Sequence, residues 1–210
     1  MRAQRWQRRK GERTPEILEA ALACFAEKGF AASRMDEIAA RAGITKGTIY
    51  LYFESKEAVF KSLAHQSIGT QLNELKLQVD GFKGPTAELL SAVITTVGQF
   101  ARTSDRVILP KVLLAEVSNF PQLAEFWRQE IIDQGIGLFE SIIRRGIARG
   151  ELRAIPTQHA ARLCIGPIVV MILWRTIFAK FDTEPYDYEG LIQAHIEVLL
   201  QGLEIKGAKA

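Results

Sequence analysis

The sequence predicts an all-α protein with an N-terminal three-helix helix-turn-helix domain and a larger C-terminal helical domain. Two observations predict this class: apolar residues recur at helical spacing along the 210-residue chain, and no stretch shows the sustained alternation of a β-strand. Glycine and proline fall where the helical patterns end, as expected at helix boundaries. We place the first domain at residues 1–62 and the second at residues 63–210.

The first helix is predicted to begin at Thr14. This residue is an N-cap candidate, and Pro15 follows in the first turn, where its missing N–H costs nothing. The helix is predicted to end at Gly29. Ser33, with Asp36 three residues later, resembles a capping box and predicts a second helix of about two turns.

A glycine turn separates the second helix from a third. Gly43 ends the second helix, Thr45 caps the third over residues 46–53, and Ser55 caps a fourth. The first three helices fall within about 40 residues, and a tight turn separates the second from the third, which matches a helix-turn-helix unit.

The third helix has one apolar and one polar face. At about 100° per residue, Ile49 and Phe53 share a face and are predicted to anchor the helix to the core. The other side suits a major groove, because glycine permits close approach while hydroxyl and amino groups bind phosphates or base edges. Its residues are Lys46, Gly47, Thr48, Tyr50, Leu51 and Tyr52. For any one of them alone, a plain solvent-exposed face is the alternative.

The first 13 residues are strongly basic. Six Lys or Arg residues stand there against Glu12 alone, a net +5, compared with +3 for the whole chain. This basic arm predicts contact with phosphates or the minor groove of DNA. The alternative is a solvated tail.

Six longer helices are predicted after residue 63. Their ranges are 64–79, 85–103, 106–118, 121–149, 157–180 and 188–203. Segment 157–180 is apolar on every side, so other helices or a second subunit must cover it. With the apolar stripe of 188–203 it predicts a homodimer seam. The seam residues are Val170, Trp174, Leu191, His195, Leu199 and Leu203.

Residues 30–60 contain three motifs. They are Met35-Asp36-Glu37-Ile38-Ala39, then Ala42-Gly43-Ile44-Thr45-Lys46-Gly47-Thr48-Ile49-Tyr50-Leu51-Tyr52-Phe53, then Ser55-Lys56-Glu57. These motifs resemble the DNA-binding domain of the TetR family of bacterial transcriptional regulators, over residues 14–62. The rest of the chain is similar to the family in helical layout and length.

The resemblance implies a DNA-contacting surface. The family's operator-contacting turn and recognition helix correspond to Thr45, Lys46, Gly47, Thr48, Tyr50 and Tyr52. Lys56 matches a phosphate-clamping lysine, and Ser33 and Arg34 fall near the DNA-facing start of the second helix. The implied partner is double-stranded operator DNA, and the implied activity is transcriptional regulation, most commonly repression.

The resemblance also implies that the larger domain binds a ligand and forms a homodimer through its last two long helices. We expect an apolar or aromatic effector, because this domain has many large apolar side chains and few polar partners for a charged metabolite. Candidate pocket residues, for which plain core packing is the alternative, are Phe100, Trp127, Phe139, Trp174 and Phe178. Glycines inside predicted helices, at Gly135, Gly137 and Gly166-Pro167, indicate close helix crossing or a cavity wall.

Other functional classes have less support. The histidines are scattered, with no carboxylate pair or nucleophile motif beside them, so no enzyme activity is expected. Cys24 and Cys164 lie far apart, and neither a metal site nor a cofactor is predicted. The main alternative is a DNA-binding regulator that responds to a protein or to cysteine oxidation.

The sequence predicts a cytoplasmic protein. The longest uncharged apolar run, 163–174, has twelve residues, fewer than the roughly 18 to 20 that cross a bilayer, so no membrane partner is expected. The N-terminus lacks the apolar core of a signal peptide.

Overall fold

The structure is a computed structural model that describes residues 2–204, with side chains from residue 13 onwards. This part of the chain folds into α-helices joined by short turns and contains no β-strand, which confirms the predicted all-α class. The helices are α1 (Arg2–Ala32), α2 (Met35–Arg41), α3 (Lys46–Ile49), α4 (Lys56–Ala64), α5 (Thr70–Gly81), α6 (Thr86–Thr103), α7 (Ile108–Glu116), α8 (Pro121–Trp127), α9 (Asp133–Ala148), α10 (Thr157–Leu173) and α11 (Tyr188–Leu203). Single π-helical or 3₁₀ turns extend several of them, over His65–Gly69, Asp105–Val107, Arg128–Ile132, Trp174–Phe178 and Ala179–Phe181.

By packing, the described chain forms two compact units. The first comprises residues 2–70 and Ile108–Trp127, and the second comprises Gln71–Val107 and residues 128–204. Helices α7 and α8 therefore belong with the N-terminal helices, although they follow α6 in the sequence. The predicted boundary after residue 62 separates a DNA-binding domain from a ligand-binding domain. It divides the chain by function, not by packing, and it stays a prediction.

Three phenylalanines form the centre of the first unit. Phe25, Phe30 and Phe60 are at most 1% exposed, and their ring centroids lie 5.3 to 6.1 Å apart. Phe120 packs edge-on against Phe30 at 4.9 Å, and Trp127 packs against Phe60 at 6.1 Å. Each such aromatic pair contributes about 0.5–1.5 kcal/mol beyond its burial. The cluster thus joins α1 and α4 to the segment that contains α8.

Helix α1 begins earlier than predicted. It is helical from Arg2, so the predicted N-cap at Thr14 is wrong and Pro15 lies inside the helix. The fixed φ of proline is compatible with a helix, and the residue removes one backbone donor. Gly29 has a φ of 79°, which glycine adopts without strain, and the helical path breaks there as predicted.

The second unit packs α6 and α9 closely against their neighbours at two glycines. A Cβ atom on Gly98 would lie 2.6 Å from Ile192, and one on Gly146 would lie 2.6 Å from Leu152 and 2.8 Å from Thr86. Real Cβ atoms essentially never approach other atoms within 3.0 Å. A larger residue at either position would therefore force these neighbouring side chains to shift.

The glycines that the sequence analysis singled out inside helices are not in such close contacts. A Cβ atom on Gly135 would lie 3.8 Å from Ile165, an ordinary contact, and one on Gly137 would meet nothing within 4 Å. Close crossing explains neither, and Gly137 lines an open surface groove of about 430 Å³. Helix α10 continues through Gly166-Pro167, because proline keeps a helical φ, and close crossing does not explain Gly166 either, since it borders open space.

Gly146→Ala and Gly137→Ala form a matched pair on α9. We expect Gly146→Ala to lower the free energy of unfolding by about 1–3 kcal/mol, because the added methyl group overlaps Leu152 and Thr86. Gly137→Ala places its methyl group in open space and should raise the free energy of unfolding by about 0.5–1 kcal/mol. Urea unfolding followed by circular dichroism, at one protein concentration, measures both. A Gly146→Ala protein as stable as wild type would contradict the close packing.

Among the described residues, one stretch, Thr157–Phe181, is long and apolar enough to cross a membrane, with a mean hydropathy of 1.7 in its most apolar window. The uncharged run of twelve residues therefore does not by itself exclude a span. Only 17% of the window is buried within the chain. Arg175 donates to the carbonyls of Ala101 at 2.9 Å and Ser104 at 2.8 Å, which ties the stretch to the end of α6. One side of the stretch is thus packed on protein.

Candidate nucleic-acid interface

Helix α3 is short, and two buried side chains fix its orientation. It covers Lys46–Ile49, and single turns continue it towards Phe53, so the helix is shorter than predicted. Ile49 is fully buried and Phe53 is 8% exposed, which confirms both predicted anchors. Thr45 is the N-cap, as predicted: its Oγ1 accepts a hydrogen bond from the backbone N–H of Thr48 at 3.2 Å.

The opposite face of α3 is open to solvent. The structure places six predicted residues there, exposed or half-buried: Thr45, Lys46, Gly47, Thr48, Tyr50 and Tyr52. Gly43, with a φ of 66°, makes the turn that leads from α2 to this face. The resulting surface combines a lysine, hydroxyl groups and a glycine, which are groups that approach and bind a DNA backbone.

Leu51 lies on the same surface, as the helical pattern predicts, although it is not among the residues predicted to contact DNA. Its side chain is 59% exposed, beside the 48% exposed Tyr50. An exposed apolar side chain on a recognition helix can contact the methyl group of thymine. Its position opposite Ile49 in the helical pattern was the available signal.

Ion pairs neutralise the acidic groups around α2. They join Lys28 to Glu37 at 2.9 Å, Arg41 to Glu27 at 2.5 Å and Arg34 to Asp36 at 3.1 Å. The hydrogen bond from Arg41 lowers the pKa of the Glu27 carboxyl group. Exposed pairs stabilise a fold by at most about 1 kcal/mol each. Their main effect here is that fewer uncompensated carboxylates face an incoming phosphate.

Ser33 does not belong to the exposed surface. Its side chain is 2% exposed, and its hydroxyl lies 3.1 Å from the Cys24 carbonyl and 2.6 Å from the Gly29 carbonyl. The capping box predicted at Ser33 is also wrong: Arg34 is the N-cap, and its backbone N–H donates to Glu37 at 3.3 Å. Ser33 therefore closes the end of α1 instead of contacting DNA, whereas the 70% exposed Arg34 side chain remains at the surface.

The ammonium group of Lys56 binds the backbone of its own unit. Its Nζ donates to the carbonyls of Phe30 at 2.5 Å, Ala31 at 3.0 Å and Ser33 at 3.0 Å, which engages all three N–H groups. In this structure Lys56 thus holds residues 30–33, where α1 turns towards α2, and its phosphate-clamping role stays a prediction. Partial burial lowers the pKa of Lys56, and two nearby carboxylates oppose that shift.

Lys56→Gln distinguishes these two roles. Loss of a phosphate contact would reduce the slope of log affinity against log salt by about 0.9 per subunit, because one counterion fewer is released. A lysine that holds the backbone makes no such contribution. We expect Lys56→Gln to lower affinity for DNA about tenfold at an unchanged slope, since charge-assisted hydrogen bonds are lost. Fluorescence anisotropy at several salt concentrations measures both quantities.

Lys46→Gln is the comparison, because Lys46 is exposed on the α3 face. Its salt slope should fall by about one per subunit. A similar fall for Lys56→Gln would return Lys56 to the phosphate-clamping role.

The candidate pocket residues lie in different environments. Trp127 packs in the core of the first unit, and Phe139 lies in the core of the second at 2% exposure. Trp174 and Phe178 are 37% and 47% exposed and stack on each other at 5.5 Å, while Phe100 is half-buried. Neither unit alone brings the five together, because spacing along a helix does not determine which helices meet.

The predicted seam residues are mostly accessible. Val170 and Trp174 are exposed, and three others, Leu191, His195 and Leu199, are half-buried. The prediction that Leu203 lies at the seam is wrong. Leu203 is 2% exposed in the core of the second unit, where its carbonyl accepts from the Arg153 backbone N–H at 3.0 Å. Exposed apolar residues that the predicted set omits are Leu163, Val169 and Val198.

The structure gives little support to a redox-responsive site. Cys24 and Cys164 are 3% and 0% exposed. Burial raises the pKa of the Cys164 thiol to about 12, so it stays protonated and unreactive at neutral pH. Among the described residues, no cluster of three His, Cys, Asp or Glu side chains is placed to hold a metal ion.

Two family models match the chain. Residues 17–63 match the model for bacterial regulatory proteins of the tetR family, and residues 83–180 match a tetracyclin repressor-like C-terminal domain. Both matches agree with the observed helix-turn-helix and the larger helical part.

Relatives agree with the family models. The fatty acid metabolism regulator protein of Bacillus subtilis is 26% identical over 192 residues, which is 91% of this chain and 95% of that protein. The uncharacterized HTH-type transcriptional regulator YvdT of B. subtilis is 35% identical over 151 residues, 71% of this chain and 75% of that protein. The crystal structure of the transcriptional regulator FadR from B. subtilis in complex with stearoyl-CoA has a TM-score of 0.70 and 25% identity, over 90% of this chain and 98% of that one. The chain belongs to the TetR family of bacterial transcriptional regulators.

Proposed function

We propose that this protein is a homodimeric repressor that binds a palindromic operator and is released from it by a fatty acyl ligand. The observation that carries the DNA-binding part is the open face of α3, held outward by the buried Ile49 and Phe53. TetR-family regulators bind operator DNA and act as dimers, which supports the arrangement.

Each residue of the α3 face has a role in this proposal. Lys46 reaches a phosphate or a guanine edge, Gly47 permits close approach, and Thr48 and the tyrosine hydroxyl groups donate to phosphates. Leu51 contacts a thymine methyl group. The operator should therefore show base preference within each half-site.

The basic arm is proposed to add salt-dependent affinity. Apart from Arg13, its side chains lie outside the described residues, and its backbone from Arg2 onwards belongs to α1. An α-helix is about 10–12 Å wide, whereas the minor groove is about 6 Å wide. A helical arm therefore favours phosphate contact over insertion into the minor groove.

The dimer seam is proposed on the exposed apolar faces of α10 and α11. Leu163, Val170 and Val198 are 62%, 61% and 70% exposed. Soluble monomers rarely leave a large apolar patch open, so a second copy of the chain is the fitting cover.

Leu163→Glu and Val198→Glu should convert the dimer into monomers, because each places a charge in an apolar seam. Both side chains are exposed within one chain, so the fold should persist. Leu77→Glu is the matched control: Leu77 is 74% exposed on α5, and this variant should stay dimeric. Sedimentation velocity at micromolar concentration measures the outcome. Dimers of both seam variants would place the interface elsewhere.

The effector is proposed to carry a long acyl chain. FadR from B. subtilis, which is 25% identical to this chain, is in complex with stearoyl-CoA. The helices of the second unit carry many large apolar side chains, the kind that line a pocket for an acyl chain. The acyl chain of such a ligand agrees with the expected apolar effector, whereas its CoA part carries charged phosphate groups that the expectation did not include. A regulator without a small-molecule effector is the alternative.

Stearoyl-CoA tests the proposal. Footprinting on DNA next to the protein's own gene should first reveal a protected site with dyad symmetry. Saturating stearoyl-CoA should then lower operator affinity about 100-fold, which corresponds to about 2.7 kcal/mol of differential binding. CoA without an acyl chain is the control and should leave affinity unchanged. Unchanged operator affinity with stearoyl-CoA bound would exclude release by this ligand, and a site without symmetry would count against a dimeric repressor.

We place the protein in the cytoplasm, where a bacterial regulator meets the chromosome. Its relatives are DNA-binding transcriptional regulators, which are not enzymes. The apolar stretch Thr157–Phe181 is assigned to the dimer seam on this proposal, and no membrane contact is needed to cover it.

A further inference from the structure

Two side chains of opposite charge hold residues 30–33, the end of α1 and the turn that leads to α2, here called together the α1–α2 turn. Lys56, from α4, binds three carbonyl groups of this turn, as described above. Glu116, the last residue of α7, accepts a hydrogen bond from the backbone N–H of Ala31 at 3.0 Å. The donor and acceptor groups of the turn are thus bound by a lysine and a carboxylate that come from different helices.

Glu116 is itself held in place. Its second carboxylate oxygen accepts from the side-chain amide of Asn119 at 3.2 Å, and its backbone carbonyl accepts from the N–H of Phe120 at 2.9 Å. The Phe120 ring packs edge-on against Phe30 at 4.9 Å, and the Lys56 ammonium lies 4.5 Å from the centre of the Phe30 ring. The carboxylate therefore cannot follow the turn freely and instead fixes its position.

The turn leads directly into the DNA-binding helices. Ala31 is separated from Met35, the first residue of α2, by three residues, and α2 in turn packs against α3. The Ala31 N–H and Glu116 are 85 residues apart in sequence, so this bond links α7 directly to the end of α1, next to α2. A shift of α7 would move the turn and, with it, the orientation of α2 and α3.

We propose that Glu116 is a positioning residue for operator recognition: through the Ala31 N–H it sets the orientation of α2 and α3 relative to α7. The inference rests on the proposed function, because operator binding is its readout. Glu116 makes no contact with DNA in this role. Its effect is on the fit of the recognition helix to the correct bases, and non-specific binding through phosphates does not depend on it.

Three variants test the proposal. Glu116→Ala removes the acceptor, Glu116→Gln keeps an amide oxygen that accepts from the same N–H, and Glu16→Ala removes an exposed carboxylate from α1 with the same change in charge. Affinity is measured by titration against the operator and against a random duplex of equal length. Thermal melting gives the stability of each variant, and stoichiometric titration gives the active fraction.

We expect Glu116→Ala to lose about tenfold in operator affinity while its affinity for random DNA stays at the wild-type value. Glu116→Gln should recover operator affinity to within about twofold of wild type, because the hydrogen bond is restored. Glu16→Ala should match wild type on both duplexes. Rescue by glutamine together with a selective loss on the operator is a pattern that lower stability alone does not produce.

Several results would overturn the inference. They are an unchanged operator affinity for Glu116→Ala, equal losses on operator and random DNA, no rescue by glutamine, or a reduced active fraction with an unchanged dissociation constant. The operator preference of the wild-type protein distinguishes failure of this inference from failure of the proposed function. A wild-type protein without preference for its operator would overturn the proposed function and the inference together, whereas an intact preference that Glu116→Ala does not reduce overturns the inference alone.

Discussion

The structure of the DNA-binding face depends on the burial of Ile49 and Phe53. Helix α3 has only four residues, and helices this short are not stable in water by themselves. Its conformation is therefore maintained by the two buried side chains and by the Thr45 cap. With these anchors in place, Tyr50 and Leu51 lie on the solvent side of the segment and Tyr52 is half-buried. The same burial that stabilises the helix thus decides which side chains face solvent.

The aromatic core that receives these anchors also organises the charged groups around it. Phe30 lies between Phe25, Phe60 and Phe120, so the backbone of the following turn cannot move away from them. Side chains from two other helices bind the backbone groups of this turn at the edge of the apolar cluster. Lys56, from α4, donates to three carbonyl groups of the turn. The Glu116 carboxylate, at the end of α7, accepts from the Ala31 N–H. Charge in this unit serves geometry as much as DNA attraction.

Local patterns predicted the helices and the anchors, and long-range packing determined what the sequence could not predict. Helical periodicity predicted the burial of Ile49 and Phe53 because one short helix contains the whole signal. Ser33 and Lys56 are bonded to groups up to 26 residues away, so their sequence context gave no sign that they bind protein backbone. Leu203 lies on the predicted stripe, but the stripe alone could not show that this end of α11 faces the core of its own chain.

The composition of Thr157–Phe181 fits two environments, and its polar contacts distinguish them. A helix that crosses a bilayer buries its charged side chains at high cost unless they are paired. Arg175 instead donates to two carbonyls at the end of α6, and α10 packs along α6 and α9, so one side of the stretch is part of a protein core. The side that remains open carries several exposed apolar residues, among them Leu163, Val169 and Val170. One packed and one open apolar side is the pattern of a helix at a subunit interface, and TetR-family regulators act as dimers. The apolar composition of this stretch therefore supports assembly of the regulator.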